Sequence, residues 1–522
     1  MDRSPRQCAT RRAFWGPTAW AFVTLLAAGC AQSRNSIQRE NEEAGVPDWA
    51  ISASAAATTE IQAYGSALSV APGESLHIFV STSTEGTPYS AEVLRLGWYH
   101  GTGARLMDTR VGMGTAQGHY DRASKTLVDC HSCTLDPSTH LVEAHWQPSF
   151  SITAGATWVS GRYVVKLTTT DGKQTYVPFV VRGDSPSTLV AVLPDMTSAA
   201  YNNWGGYSTY EGPDGALASR AYKVSFDRPN NKWHVGYGHG LPYEINAIRW
   251  LERNGYEVTY LSSLDVHAHP DLLLEHRAFL SLGHDEYWSN EMRVAVEHAR
   301  DAGLGLGFLG ANSAYWQVRL EPNSDGRRDR TLVCYKDALL DPMLGRQPSR
   351  VTTRWRDAPV DKPENALIGV AYVDWVRPPA GYPWRVDADA PSWLLSGTGL
   401  QRGRSYGCNV VGYEWDSLLA NGKTPANLQL LGSTPTIGES GTPETANTSY
   451  YVAPSGSLVF ASGSVNWAYA LDDARALDEN PDEMGPVRAD PFCTQHSPSV
   501  PEVSKLMENV MAELLVTHAK IQ

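Results

Sequence analysis

Two kinds of apolar pattern divide the chain, and the change falls near residue 185. Before it, apolar and polar positions alternate. Leu76, Ile78 and Val80 are spaced by two within 75–81, and Tyr163, Val165 and Leu167 within 162–168. A period of two places such a set on one face of a strand. Asp171-Gly172 then turns the second run into 175–181. Short alternating strands joined by Gly, Asp and Thr turns predict an antiparallel β-sandwich of immunoglobulin-like type over residues 49–184. After the change the runs are continuous, at 188–193, 256–261, 277–282, 304–309 and 457–462. Continuous runs predict strands buried on both faces. Between them, 243–254 carries helical spacing through Ile245, Ile248 and Leu251 and stops at Asn254-Gly255, while Ser289 caps a second helical segment, 291–302. Strands alternating with helices predict an α/β domain with a mostly parallel sheet over 185–522. Residues 184–187 read as a linker. Residues 320–450, rich in Pro, Gly and Trp without clear periodicity, read as a long excursion over the active face.

In a parallel sheet, ligands bind where the strands end. The run 277–282 reaches Gly283 and presents His284, Asp285 and Glu286. Residues two apart in extended backbone leave on the same side, so His284 and Glu286 are neighbours and Asp285 points away. An imidazole beside a carboxylate can hold a metal; the plainer alternative is a hydrogen-bonded pair closing a turn. The other strand ends add weight to the first reading. Tyr201, Trp204, Tyr207 and Tyr210 follow the first run, Gly310 to Ser313 the fourth, and Asn466 and Trp467 the last. The turn after Gly310 is where nucleophile-elbow hydrolases place Ser or Cys. Its apex here is Asn312, which is no nucleophile, and Ser313 stands one place late. A metal mechanism is therefore the better enzymatic reading.

Composition narrows the setting. The 522 residues carry a net charge of −13, which argues against nucleic-acid partners. Only 19% are charged, against 17 Trp and 24 Tyr, as in a folded extracytoplasmic protein. Arg11 and Arg12 precede a short apolar stretch ending in Gly29-Cys30. This predicts a signal peptide over 1–30 with a lipobox, Cys30 being the lipidated residue of an exported protein facing the periplasm or the surface. The stretch 10–14 resembles a twin-arginine motif, so either export route is open. Residues 31–48 read as a polar tether, and the lipid is the expected membrane attachment. Of seven cysteines, Cys130 and Cys133 are close enough for a small disulfide loop, while Cys334, Cys408 and Cys493 give no reason to pair.

Several motifs in order, 282–289, 308–316, 333–336 and 412–414, resemble the C-terminal domain of the N,N-dimethylformamidase large subunit. The similarity covers roughly residues 186–515. It implies a class I glutamine-amidotransferase-like fold whose nucleophile has been lost, consistent with Asn312 at the elbow. It also implies a mononuclear iron held by a Tyr, a His and a Glu. By the motif these are His284 and Glu286, with Tyr201 as the phenol and Tyr207 or Tyr210 as alternatives. Asn312, Lys336 and Glu414 match positions lining the family's pocket. Phenolate and carboxylate are hard donors, and with one imidazole they suit ferric iron better than zinc, although another divalent metal is an alternative. The expected activity is hydrolysis of a C–N amide bond in a small molecule, with Glu414 as general base and Asn312 as oxyanion donor. Lys336, Trp288 and Asn466 are the expected substrate contacts. A homo-oligomer or a separate small subunit is an open expectation. The rival is a non-catalytic lipoprotein that binds a glycan in an aromatic cleft formed by Trp204, Trp288, Trp316 and Trp467.

Overall fold

The computed structural model describes residues 34–183, 187–230, 236–377, 380–474 and 498–516. The expected signal segment 1–30 with Cys30, the linker positions 184–186 and Cys493 lie outside the described residues.

The alternating N-terminal pattern folds into two sheets, antiparallel except where Ser69–Val70 runs parallel to Gln174–Val181. One has Ser75–Thr82 flanked by Ile61–Gly65 and Phe150–Thr153. The other runs in the order Ser69–Val70, Gln174–Val181, Gly161–Thr169, Pro88–Leu96 and Ala104–Met113. Leu76, Ile78 and Val80 meet Tyr163, Val165 and Leu167 in one buried cluster, so the two period-two sets are the two inner faces of a sandwich. Each such aliphatic side chain contributes about 1.5–3 kcal/mol on burial. The outer face of the five-stranded sheet is buried too. Leu94, Val164 and Tyr176 pack on Leu241 and Ile245 of the helix Leu241–Arg253, so the sandwich covers the next sheet's helix layer.

The continuous runs form a seven-stranded sheet in the order Val258–Ser262, Leu189–Leu193, Ala278–Leu282, Gly305–Leu309, Leu458–Ala461, Pro443–Val452, Gln429–Ile437. The first five strands are parallel and the last two antiparallel. Val190, Val192, Phe279 and Phe308 face Met292 and Val296 of the helix Asn290–Asp301. Leu189, Ala191, Leu280 and Leu282 face the helices Leu241–Arg253 and Pro501–Leu514 on the other side. Apolar residues at every position are what a sheet covered on both faces requires. Taken whole, the protein is β-rich and multi-sheet, and the described fold does not support the finer likeness to a class I glutamine amidotransferase.

Two expectations are corrected. The stretch read as a polar tether is folded from Asn35 onward. Asn35 caps the short helix Ser36–Glu40, Ile37 is fully buried, and Asn41 donates from Nδ2 to Glu252 Oε2 at 2.8 Å. Its polar groups find partners in the body of the protein, and Ile37 and Trp49 supply the apolar anchors. The supposed excursion at 320–450 is also largely structured. It holds the paired strands Ala371–Trp375 with Glu414–Ser417 and Tyr382–Arg385 with Ser405–Val411. Both pairs carry register shifts, and an extra residue in a strand breaks the alternation that would have revealed it.

Cys130 and Cys133 are joined as a disulfide, Cys408 is also disulfide-bonded, and Cys334 is a free buried thiol. No helix among the described residues is long and apolar enough to cross a membrane.

Candidate metal centre at the strand ends

The turn after Ala278–Leu282 is made by Gly283, at φ +66°, a left-handed conformation that glycine adopts at little cost. Gly310, at the end of the neighbouring strand, comes so close that a Cβ there would lie 1.9 Å from Gly283 O. The two strand ends are thereby pressed together, and the side chains just beyond them meet.

His284 is fully buried, and its Nε2 lies 3.0 Å from Glu414 Oε2 and 3.6 Å from Glu286 Oε2. Tyr201, the last residue of the helix Asp195–Tyr201, donates its hydroxyl to Glu286 Oε2 at 2.8 Å, and Tyr210 donates to Glu286 Oε1 at 2.5 Å. Asn312 Nδ2 donates to Glu414 Oε2 at 2.8 Å and stands 3.5 Å from His284 Nε2. The Asn312 backbone is left-handed, at φ +54°, and Asp416 Oδ1 accepts its N–H at 2.8 Å, pinning the elbow. Tyr201, His284, Glu286, Asn312 and Glu414, drawn from four separate segments, therefore occupy one buried spot.

Lys336 lies at the edge of this cluster. Its Nζ donates to Tyr287 Oη at 2.5 Å and sits 3.5 Å from the Tyr210 ring centroid and 4.2 Å from that of Trp316. Asp285 turns away, accepting from Ser281 Oγ at 2.7 Å. Ser313 Oγ is buried without a hydrogen-bond partner among the described residues, so no base stands ready to activate it.

Burial alone would depress His284, but the Glu414 carboxylate, by charge and hydrogen bond, and then Glu286 raise it above the ordinary imidazole value. Burial raises Glu286, against the pull of His284 and Lys336. Burial, and then the charge of Glu286, push Tyr201 and Tyr210 far above the ordinary phenol value. Burial lowers Lys336 to about 8. The site thus gathers two carboxylates, an imidazole held by them and one weakened ammonium. Its donors stand 2.8 and 3.6 Å apart, as neighbouring ligands of one ion bound at about 2.0–2.2 Å would. Among the described residues no three His, Cys, Asp or Glu side chains form a metal group on their own. The phenols nearest these donors are Tyr201 and Tyr210, both on Glu286.

Three expected contacts are corrected. Tyr207 stacks on His140, with ring centroids 4.6 Å apart, and is not among the phenols on Glu286. Trp288 lies in the apolar cluster under the helix Asn290–Asp301, because its neighbour Tyr287 takes the face towards Lys336. Asn466 donates to Asn409 Oδ1 at 2.8 Å and takes Gly412 O on its backbone N–H, so it supports the segment before Tyr413 and Glu414. The aromatic cleft loses its members likewise. Trp204, Trp288 and Trp467 are fully buried in core clusters, which leaves Trp316 partly exposed beside Lys336.

Two residues at the centre were not anticipated. His239 Nε2 lies 2.8 Å from His284 Nδ1, and Tyr413 Oη lies 3.0 Å from the same nitrogen. Both had a local signal. His239 is framed by glycines in 236–240, and Tyr413 directly precedes Glu414.

Fold and site together define a β-rich, multi-sheet protein with a buried phenol, imidazole and carboxylate centre where parallel strands end. The family described as N,N-dimethylformamidase beta subunit-like, C-terminal, matches residues 90–482, and the chain belongs to that family. Two relatives are N,N-dimethylformamidase beta subunits, from Alcaligenes sp and Paracoccus aminophilus. Each is 26% identical over 227 residues, covering 35% of this chain and 29% of the relative, so the match spans under a third of their length. A solved Paenibacillus sp. cycloisomaltooligosaccharide glucanotransferase is 13% identical, with a TM-score of 0.14, over 27% of this chain and 17% of its own; such a likeness carries no argument.

Proposed function

We propose that this protein is a metal-dependent hydrolase of a C–N amide bond, with a mononuclear iron held by Tyr201, His284 and Glu286. The observation that carries the reading is the meeting of Tyr201 with His284 and Glu286 from a second segment, the phenol and the imidazole standing 2.8 and 3.6 Å from Glu286 Oε2. The resemblance to dimethylformamidase beta subunits supplies the reaction class. Bound there, the ion would supply Lewis acidity to the substrate carbonyl and lower the pKa of water.

The protein's own groups account for the rest. Glu414, 3.0 Å from His284 Nε2, takes the proton of the attacking water, then returns it to the leaving amine. Asn312 spends one N–H on Glu414 Oε2, which aims that carboxylate; its second N–H remains for the oxyanion that develops on the carbonyl. Lys336, caged by Tyr210, Tyr287 and Trp316, places a cation beside the pocket that orients a polar group of the substrate. The substrate is an amide of unknown identity. The subunit names of the relatives support an assembly with a small subunit or with itself, and Cys30 supports anchorage by lipid outside the cytoplasm.

The test is His284→Ala in the intact protein, assayed for iron and for amide hydrolysis across a panel of small amides. Both should disappear; full retention of either contradicts the reading.

A further inference from the structure

The chemistry above gives no part to Arg228, a guanidinium buried to 3% exposure just past the strand Lys223–Ser225. Burial lowers it to about 9, opposed by Tyr120 and by no carboxylate among the described residues. A buried cation without an anion is costly, and it survives only where fixed dipoles replace its water. Here the dipoles are three backbone carbonyls. Nη1 donates to Trp204 O at 2.7 Å and to Tyr207 O at 3.1 Å, and Nη2 donates to Asn202 O at 2.8 Å. Nε is buried with no partner among the described residues. The guanidinium therefore spends its hydrogen bonds there on a single loop, 202–207.

That loop joins the two phenols that meet Glu286. Tyr201 precedes it and Tyr210 follows it. They reach opposite oxygens of the carboxylate, at 2.8 and 2.5 Å, with their ring centroids 4.6 Å apart. The loop has little to hold it in shape by itself. Its regular part is one 3₁₀ turn, Trp204–Gly206, in which Gly205 and Gly206 are left-handed at φ +80° and +91°. The carbonyls of Asn202 and Tyr207 take no backbone N–H among the described residues, so Arg228 fills a need that the fold leaves open. Asn202 also caps the C-terminal end of the helix Asp195–Tyr201, where the helix dipole favours a cation. Two side chains add ties. Asn202 Nδ2 donates to Pro229 O at 2.9 Å, next to Arg228, and Trp204 Nε1 donates to Gln62 Oε1 of the sandwich at 2.8 Å.

We propose that Arg228 is a positioning residue for the centre: by gathering the carbonyls of Asn202, Trp204 and Tyr207 it fixes the loop so that Tyr201 and Tyr210 reach Glu286 together. The proposal rests on Tyr201 and Glu286 belonging to the active centre, as in the proposed function, and on no other member of it. Lysine is a poor substitute, because its one nitrogen keeps the charge but lacks the fork that spans three carbonyls.

The experiment uses the full-length protein as wild type, Arg228→Met and Arg228→Lys. It reads Tm, the dissociation constant for iron added to metal-stripped protein, and a crystal structure of each variant without metal. In Arg228→Met the loop should shift and at least one phenol should leave Glu286, to beyond about 3.5 Å, while the sheets stay in place. Iron should bind about 10–100-fold more weakly, and Arg228→Lys should lose less. If Arg228→Met does not fold, Arg228→Lys decides on the same readouts. A lower Tm with both phenols still on Glu286 and wild-type iron affinity would overturn the positioning role and make Arg228 a support of the fold alone. A wild-type protein that takes up no iron would overturn the proposed function, and the phenol positions in the variant structures would still decide for or against Arg228.

Discussion

Arg95 and Glu252 are as deeply buried as His284 and Glu286, yet the two clusters are put together in opposite ways. Arg95 faces Glu252 with both terminal nitrogens, at 2.7 and 3.1 Å, and Asn41, Tyr99 and Tyr260 add further hydrogen bonds. One cation meets one anion, and each partner comes from a different part of the fold: the N-terminal arm, the sandwich and the helix Leu241–Arg253. At the strand ends two carboxylates and two phenols crowd one imidazole, with Lys336 displaced to the rim. A buried charge that is paired and hydrogen-bonded holds segments together. A buried group of donors that is not paired one to one is a candidate site for binding something else.

That contrast can be broken at either cluster. Glu414→Gln should cost about 10²–10⁴ in kcat while iron per chain stays as in wild type; loss of iron would make Glu414 a ligand and redraw the centre. Arg95→Ala should lower stability by about 3–5 kcal/mol, because it leaves Glu252 buried and unpaired. Denaturant midpoints check this, and iron per folded molecule should be unchanged. Asn312→Gly keeps a residue at ease with the left-handed backbone and removes the amide, so kcat should fall by about 10²–10³ with little change in KM. The smallest effect is on pH dependence. Burial lowers Lys336 to about 8 in the folded protein, below the roughly 10.4 of an unfolded lysine. Between those values the unfolded chain binds the extra proton, so the contribution of Lys336 to stability rises with pH across that window. Lys336→Met should flatten this rise in denaturant midpoints taken from pH 7 to 10, and an identical slope would refute the assignment.

Parity along strands made much of this legible. The sets at 76, 78, 80 and at 163, 165, 167 are the inner faces of the sandwich, and the two-residue spacing of His284 and Glu286 brings their side chains to 3.6 Å. Carried on from 284 and 286 the same rule puts Trp288 on their side, but a new strand starts at Tyr287, and there Tyr287 faces Lys336 while Trp288 enters the apolar cluster. His239 and Tyr413 were hidden for a different reason. They reach His284 across 45 and 129 positions of sequence, and only the close approach allowed by Gly238 and the pairing of Glu414–Ser417 bring them there. Strands interrupted by bulges at 371–417 left no period to read. The polar arm after Asn35 looked like a tether because its partners, Glu252 above all, lie more than 200 positions away.

The account turns on whether a metal and a tyrosine meet at His284. Elemental analysis with a visible absorption spectrum on the purified intact protein tests this directly. The account predicts near-stoichiometric iron and a broad visible band from tyrosinate-to-iron charge transfer, lost in Tyr201→Phe. Zinc, or iron without that band, would contradict the tyrosine ligand. A protein that holds no metal even after reconstitution would contradict the centre itself.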